Sequence, residues 1–247
     1  TKGVDGDESW QSFQYTTLQG GNVPAEEITA ARKDLDERTF QQEYDAHFVN
    51  YSGIIYYNFS REHSVKPHSG DSQQILIGMD FNLDPMSAVV MSRSGGSLHI
   101  FDEIVMFGSN TDEMAAEIQQ RYKGKNVTIY PDPACRQRKT SAGGRTDLSI
   151  LQNAGFDVRV RNSHSAVRDR INSVNSRLMS ADGVRQLFVD AKCKRTIESL
   201  ERQTYKEGTS QPNKDGFDHM NDALGYAVEY LFPIRKNYEA VEPQRWT

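Results

Sequence analysis

Apolar and polar positions divide this chain near residue 75. Upstream, apolar residues are sparse and fall at helical spacing: Ile28, Ala31 and Leu35 recur by three and four behind Pro24 and the early acids Glu26 and Glu27, which suit a helix start. A second helical stretch is expected over 39–48, broken by Gly53, and then a short strand over 54–59. Residues 60–73 are polar and lack a period, so they read as a linker or extended lead-in. From Ile75 the pattern becomes strand-like, with short apolar runs at 75–81, 88–92 and 98–105. Ser94-Gly95-Gly96-Ser97 joins the last two and suits a hairpin turn. Helical periodicity returns at 111–122, with Met114, Ala115, Ile118 and Tyr122 on one face, Thr111 as a possible cap and Gly124 just past the end. A strand over 127–130 follows and ends in Pro131-Asp132-Pro133. The remainder alternates: a helix at 147–154 stopped by Gly155, a strand at 158–160, a helix at 166–179, a strand or extended piece at 185–189, and helices at 194–205 and 219–231.

This order predicts an α/β domain. The hairpin demands antiparallel pairing, and the strand–helix alternation after it demands crossovers with parallel pairing. The expected architecture is a mixed five-stranded sheet flanked by helices, without internal repeats. The 247 residues suffice for one full core with material left over. Hydrophobic residues at 36% and charged residues at 26% fit a globular chain, and no run approaches the roughly 20 apolar residues of a membrane span. The chain opens on a polar Thr-Lys-Gly-Val stretch without Met or an apolar leader, which suggests a processed or excised fragment. Cys135 and Cys193 have no CxxC or zinc-type spacing and are expected to be buried thiols in a reducing compartment.

A net charge of −5 argues at first against a nucleic-acid partner. The distribution changes that picture, because residues 135–177 hold nine basic residues against three acidic ones. Within this segment Arg136, Arg138, Lys139, Arg145, Arg168 and Arg170 are candidates for DNA phosphate contacts. The alternative is a solvated charged surface.

The candidate chemistry lies in aspartates at element ends. Asp80 closes the first strand in Ile-Gly-Met-Asp-Phe-Asn, and Asp132 closes the fourth between two prolines that stiffen its backbone. Adjacent strands would bring the two together. Asp218 and Asp222 are four apart near the start of the last helix and share a face, with His219 three from Asp222. Clustered carboxylates repel unless a cation sits among them. Hard divalent cations take oxygen ligands, and a pair of them can activate water and stabilise a leaving oxygen in phosphodiester cleavage. Asp84 could join from the loop after Asp80, or serve an Asp-Pro turn. Glu103 could face the same site, or pair with a basic group. Asp218 could simply cap its helix, with Asp222 a surface acid. No GxxxxGK[ST], GxSxG or HExxH motif is present.

Three runs, Ile-Gly-Met-Asp-Phe, Tyr-Pro-Asp-Pro and Phe-Asp-His-Met-Asn-Asp-Ala-Leu-Gly-Tyr-Ala, together resemble the nuclease domain of phage large terminase subunits, the motors that pump DNA into a prohead and cut it. The family's last motif ends in Asp-Ala-Leu-x-Tyr, which Asp222 to Tyr226 matches. The likeness covers about residues 75–232. Residues 10–59, with Arg38-Thr39-Phe40-Gln41-Gln42-Glu43-Tyr44, look like the segment joining the family's ATPase domain to its nuclease. The resemblance implies a ribonuclease H-like fold and three parts: 1–73 as linker and end of an ATPase domain, 74–233 as nuclease, 234–247 as tail. It also implies Asp80, Asp132 and Asp222 as catalytic metal ligands with Asp218 and His219 accessory, and Mg2+ or Mn2+ as cofactor, as two ions. Some members carry Glu at the second position, which leaves Asp132 against Glu103 open. The implied setting is the host cytoplasm, with no membrane. The implied partners are double-stranded DNA, a small terminase subunit and a portal, with ATP used only through a domain absent from this chain. Other readings of the same acids are another ribonuclease H-like nuclease, such as a resolvase or transposase, or a catalytically silent DNA-binding or docking module.

Overall fold

The structure, a computed structural model, describes residues 13–47, 53–82, 84–137 and 145–234. Its centre is a mixed sheet of six strands: β1 (Gln74–Asp80), β2 (Met86–Ser94), β3 (Ser97–Met106), β4 (Asn126–Pro131), β5 (Asp157–Val158) and β6 (Leu187–Val189). The spatial order is β5-β4-β1-β2-β3-β6. The β1–β2 and β2–β3 pairs are antiparallel, and β4 on β1, β5 on β4 and β6 on β3 are parallel. Ser94 pairs with Ser97 across the two-residue turn, and Gly95 takes φ +58°, which a side chain would resist. The expected sheet of five strands is thus corrected to six. The extra strand is Leu187–Val189, whose pairing with Leu98–Ile100 rests on a contact some ninety residues back along the chain. Three residues are too few to show a period of two.

Helices cover both faces. On one side lie α5 (Thr111–Arg121) and α6 (Asp147–Asn153); on the other lie α7 (Val167–Leu178), α8 (Lys194–Arg202) and α9 (Asp218–Leu231). The alternation along β1 assigns its side chains. Ile75, Ile77 and Met79 join the core under α5 and α6, whereas Leu76 joins the core with Ala223, Leu224, Ala227 and Val228 of α9. Because both faces are covered, β1 is apolar almost throughout, as a two-sided strand should be. Gly78 stands on the α9 side. A Cβ there would lie 2.0 Å from the Ala223 carbonyl oxygen, so only glycine lets the α9 backbone seat this closely on β1.

Upstream, α1 (Thr17–Gly20), α2 (Ala25–Asp34), α3 (Glu37–Glu43) and α4 (Arg61–Ser64) precede the sheet. The strand expected over 54–59 is not formed: Ile54 makes one isolated bridge to Thr204, and turns follow. Its apolar residues go into the core instead, where Ile55 and Tyr56 are buried among α7, α8 and α9 residues. Asn58 donates to the Asn175 and Met179 carbonyls at the end of α7, and Asn175 donates back to Ile55. Val65 bridges to Val189 of β6, so the polar 60–73 stretch is partly anchored. The cap of α5 is Asn110, which accepts from Glu113 N, and not Thr111, whose hydroxyl donates to Asp147. Both cysteines are buried and free, as expected. Among the described residues no helix is long and apolar enough to cross a membrane.

Candidate active site

Strand parity and helix seating build the site. Asp80 ends β1 two residues beyond Gly78, on the face that α9 covers. The parallel register of β4 on β1 ends at Met79 with Pro131, and Asp132 N then donates to the Met79 carbonyl at 3.1 Å. Asp132 therefore follows directly beside Asp80 at the carboxyl ends of the two central parallel strands. Its carboxylate is oriented by Ala134 N, which donates at 2.8 Å in the turn Pro133–Arg136. Asp222 lies one turn into α9, next to Ala223, whose carbonyl rests on Gly78.

Each carboxylate has specific company. The amide nitrogen of Asn82 donates to Asp80 Oδ2 at 2.9 Å, and His219 Nδ1 lies 3.3 Å from the same oxygen. Tyr226 Oη donates to Asp132 Oδ2 at 2.9 Å, and His164 Nδ1 is 3.4 Å from Asp132 Oδ1. Arg170 Nη2 donates to Asp222 Oδ1 at 2.7 Å. Burial pushes Asp222 above the usual carboxylate range; Arg170 opposes this, and the nearby charges of Asp80 and Asp218 add to it. His219 is raised chiefly by its hydrogen bond to Asp80, against its own burial and with help from Asp218. Thus His219 and Asp222 both respond to the charges of Asp80 and Asp218, and the register sets Asp132 on the strand next to Asp80.

A family model for the terminase RNaseH-like domain matches residues 77–231. The chain belongs to that family. The matched range runs from Ile77 in β1 to Leu231 at the end of α9. The large terminase subunit of Escherichia phage T5 is 23% identical over 241 residues, covering 89% of this chain and 51% of that protein. The chain therefore spans about half the length of the curated relative it matches. The large terminase of a thermophilic bacteriophage superposes with a TM-score of 0.69 at 18% identity, over 90% of this chain and 55% of that one. The large terminase nuclease of the thermophilic phage G20c, solved with bound magnesium, superposes at 0.53 and 13% identity, over 73% of this chain and 98% of that one. These two likenesses show the shared fold.

The other candidate residues divide. Asp218 is the first residue of α9, not its cap, and its Oδ1 is buried without a hydrogen-bond partner. Asp84 is exposed and accepts from Gly108 N at 3.3 Å, a contact that ties its loop to the chain just past β3. Glu103 accepts from Arg195 N, Thr196 N and the Thr196 hydroxyl, so both its oxygens cap the start of α8. Arg136 and Arg168 are exposed, and Arg168 lies 3.5 Å from Glu43. Arg145 reaches Asp112 at 3.1 Å. Arg170 is buried against Asp222 and so faces the site rather than an outer surface. Arg138 and Lys139 lie outside the described residues. Sequence reasoning missed Asn82, His164 and the role of Tyr226. Tyr226 had a usable signal, four residues after Asp222 on the same helical face; His164 had none.

Buried, mutually repelling carboxylate oxygens, one of them (Asp218 Oδ1) without a hydrogen bond and 3.9 Å from His219 Nε2, are the donor chemistry a hard divalent cation takes. The residues fit such an ion in kind. Among the described residues, however, no three His, Cys, Asp or Glu side chains stand together as a cage, and several of the carboxylate oxygens are engaged by Arg170, Tyr226 and Ala134 N.

Proposed function

We propose that this chain is a divalent-metal-dependent endonuclease that cleaves double-stranded DNA during viral genome packaging, as the nuclease part of a terminase large subunit. What supports the reading is that Asp80 and Asp132 end adjacent parallel strands while Asp222 stands on the helix packed over β1 and feels the charge of Asp80, in a chain of this family. Asp80, Asp132 and Asp222 would hold Mg2+ or Mn2+, with Asp218 and His219 beside them. Bound there, one or two such ions supply an activated water and stabilise the leaving oxygen of a phosphodiester. Asp80 is held in place by Asn82 and His219, and the stiff turn after Asp132 fixes its carboxylate. Arg136 and Arg168, exposed on the same half of the chain, would contact phosphates. Residues 74–233 would form the nuclease, 1–73 the link to an ATPase domain and 234–247 a tail. The small terminase subunit and the portal would be partners in the full motor, in the host cytoplasm.

The test is digestion of supercoiled plasmid by the wild type and Asp80→Ala. Mn2+ or Mg2+ should support nicking and linearisation by the wild type, EDTA should abolish it, and folded Asp80→Ala should be inactive. No metal-dependent cutting over a range of protein concentrations would overturn the reading. One observation favours a second reading, a silent DNA-binding or docking module: the carboxylates are occupied by protein partners. That module predicts DNA behaviour indifferent to metal and to Asp80→Ala.

A further inference from the structure

Arg170 and Tyr226 connect the two carboxylates that the backbone does not bring into register. The Arg170 guanidinium donates to Asp222 at 2.7 Å, and its centre lies 4.4 Å from the middle of the Tyr226 ring. The Tyr226 hydroxyl in turn donates to Asp132 at 2.9 Å. Tyr226 is one helical turn beyond Asp222 on α9, Arg170 is on α7, and Asp132 is at the end of β4, so three elements are tied by one chain of contacts. Arg170 is itself buried, with its stem against Gly225, so its head has little freedom to swing to solvent.

We propose that Arg170 and Tyr226 form a positioning clamp: Arg170 orients Asp222, Tyr226 orients Asp132, and the stacking of one on the other sets the two carboxylates for a shared cation. This rests on the nuclease reading above and departs from the assignment of Arg170 to DNA phosphates. Groups that orient metal-holding side chains typically contribute about 10- to 100-fold in affinity or activity. A planar, stacked guanidinium is not replaced by a lysine, which keeps the charge and loses the plane.

The experiment uses the full chain as wild type, Tyr226→Phe, Arg170→Lys and the double variant. Mn2+ affinity is measured by calorimetry, plasmid cleavage is split into kcat and KM, and thermal unfolding is followed in EDTA. The clamp predicts that Tyr226→Phe, which keeps the ring, weakens Mn2+ binding and kcat by about tenfold or more with DNA KM unchanged. It predicts that Arg170→Lys does the same and that the double variant loses less than the product of the single losses. In EDTA the two substitutions should again be non-additive in unfolding, a readout that needs no metal. Folded single variants with wild-type Mn2+ affinity and kcat overturn the clamp, as does a change confined to DNA KM. If the wild type binds no Mn2+ and cuts no DNA, while the non-additivity in EDTA stands, the nuclease reading fails and the Arg170–Tyr226 linkage is retained. Additive unfolding in EDTA removes the linkage itself.

Discussion

Gly78 is the position where a single methyl group tests how the site is assembled. A Cβ at residue 78 would stand 2.0 Å from the Ala223 carbonyl oxygen and 2.9 Å from its carbon, backbone atoms that have no rotamer to escape into. Real contacts of this kind do not fall below 3.0 Å, so Gly78→Ala must drive α9 off β1 by about 1 Å or more. Overpacking of this sort costs roughly 1–3 kcal/mol, equivalent to about 2–12 °C in Tm for a chain of this size. The displaced residue is the neighbour of Asp222, and a misplacement of about 1 Å in a reacting constellation can cost on the order of 100-fold in rate. The assay pairs thermal unfolding with metal-dependent plasmid cleavage. Gly225→Ala on the same helix is the control, since its methyl would meet Arg170 only at 3.6 Å or beyond, an ordinary contact, and alanine is the better helix former by up to about 1 kcal/mol. The control should unfold at or above the wild-type temperature. A Gly78→Ala protein with wild-type Tm and cleavage would refute the claim that backbone contact seats Asp222.

Three further outcomes follow from the contacts of other residues. Glu103→Ala removes the acceptor for two backbone N–H groups at the start of α8, so it should lower stability by about 1 kcal/mol and leave Mn2+ affinity and cleavage unchanged; collapse of cleavage in a folded variant would make Glu103 a ligand after all. His219 has a raised pKa, so its stabilising contribution is complete below its unfolded value of about 6.5 and is lost as pH rises through the higher folded value. In EDTA, stability should therefore fall over that window, His219→Gln should flatten the slope, and an unchanged slope would show that His219 is not the group responsible. Arg136→Ala and Arg168→Ala should each reduce the dependence of log DNA affinity on log salt by about 0.9, and unchanged slopes would return these arginines to a solvated surface.

What local pattern could reveal here was the identity and order of elements, and through them Asp80 and Asp222. Each sits in a short run that is plain to read: a continuous apolar strand ending in an acid, and a helix whose apolar stripe begins just after its acids. Asp132 is of a different kind. Its strand was legible, but its place beside Asp80 is a property of the β4–β1 register, which no period of two encodes. The pieces that local pattern misread or left open share a cause: their partners are distant in sequence. β6 exists because Leu98–Ile100 offers it an edge, and Ile55 and Tyr56 are core because α7, α8 and α9 close over them. Glu103 looked like a mid-strand acid and proved to be the cap of a helix more than ninety residues later.

The basic segment shows the same limit in charge. Counted along the chain, residues 135–177 carry a clear positive excess. In space much of it is answered internally: Arg159 pairs with Asp157, Arg161 with Glu229, Arg145 with Asp112 and Arg170 with Asp222, while Arg177 is buried. Two of these partners, Glu229 and Asp222, belong to α9, so part of what reads as a phosphate-binding stretch holds that helix in place. The guanidinium is well suited to this work, since its planar fork can satisfy a partly buried carboxylate and stack on a neighbouring ring at the same time, as Arg170 does with Asp222 and Tyr226. A local count of charge therefore overstates the positive field at the surface. Of these arginines Arg170 is the one that pairs with a carboxylate of the candidate site: it opposes the burial of Asp222 from a helix some fifty residues ahead of the one it faces.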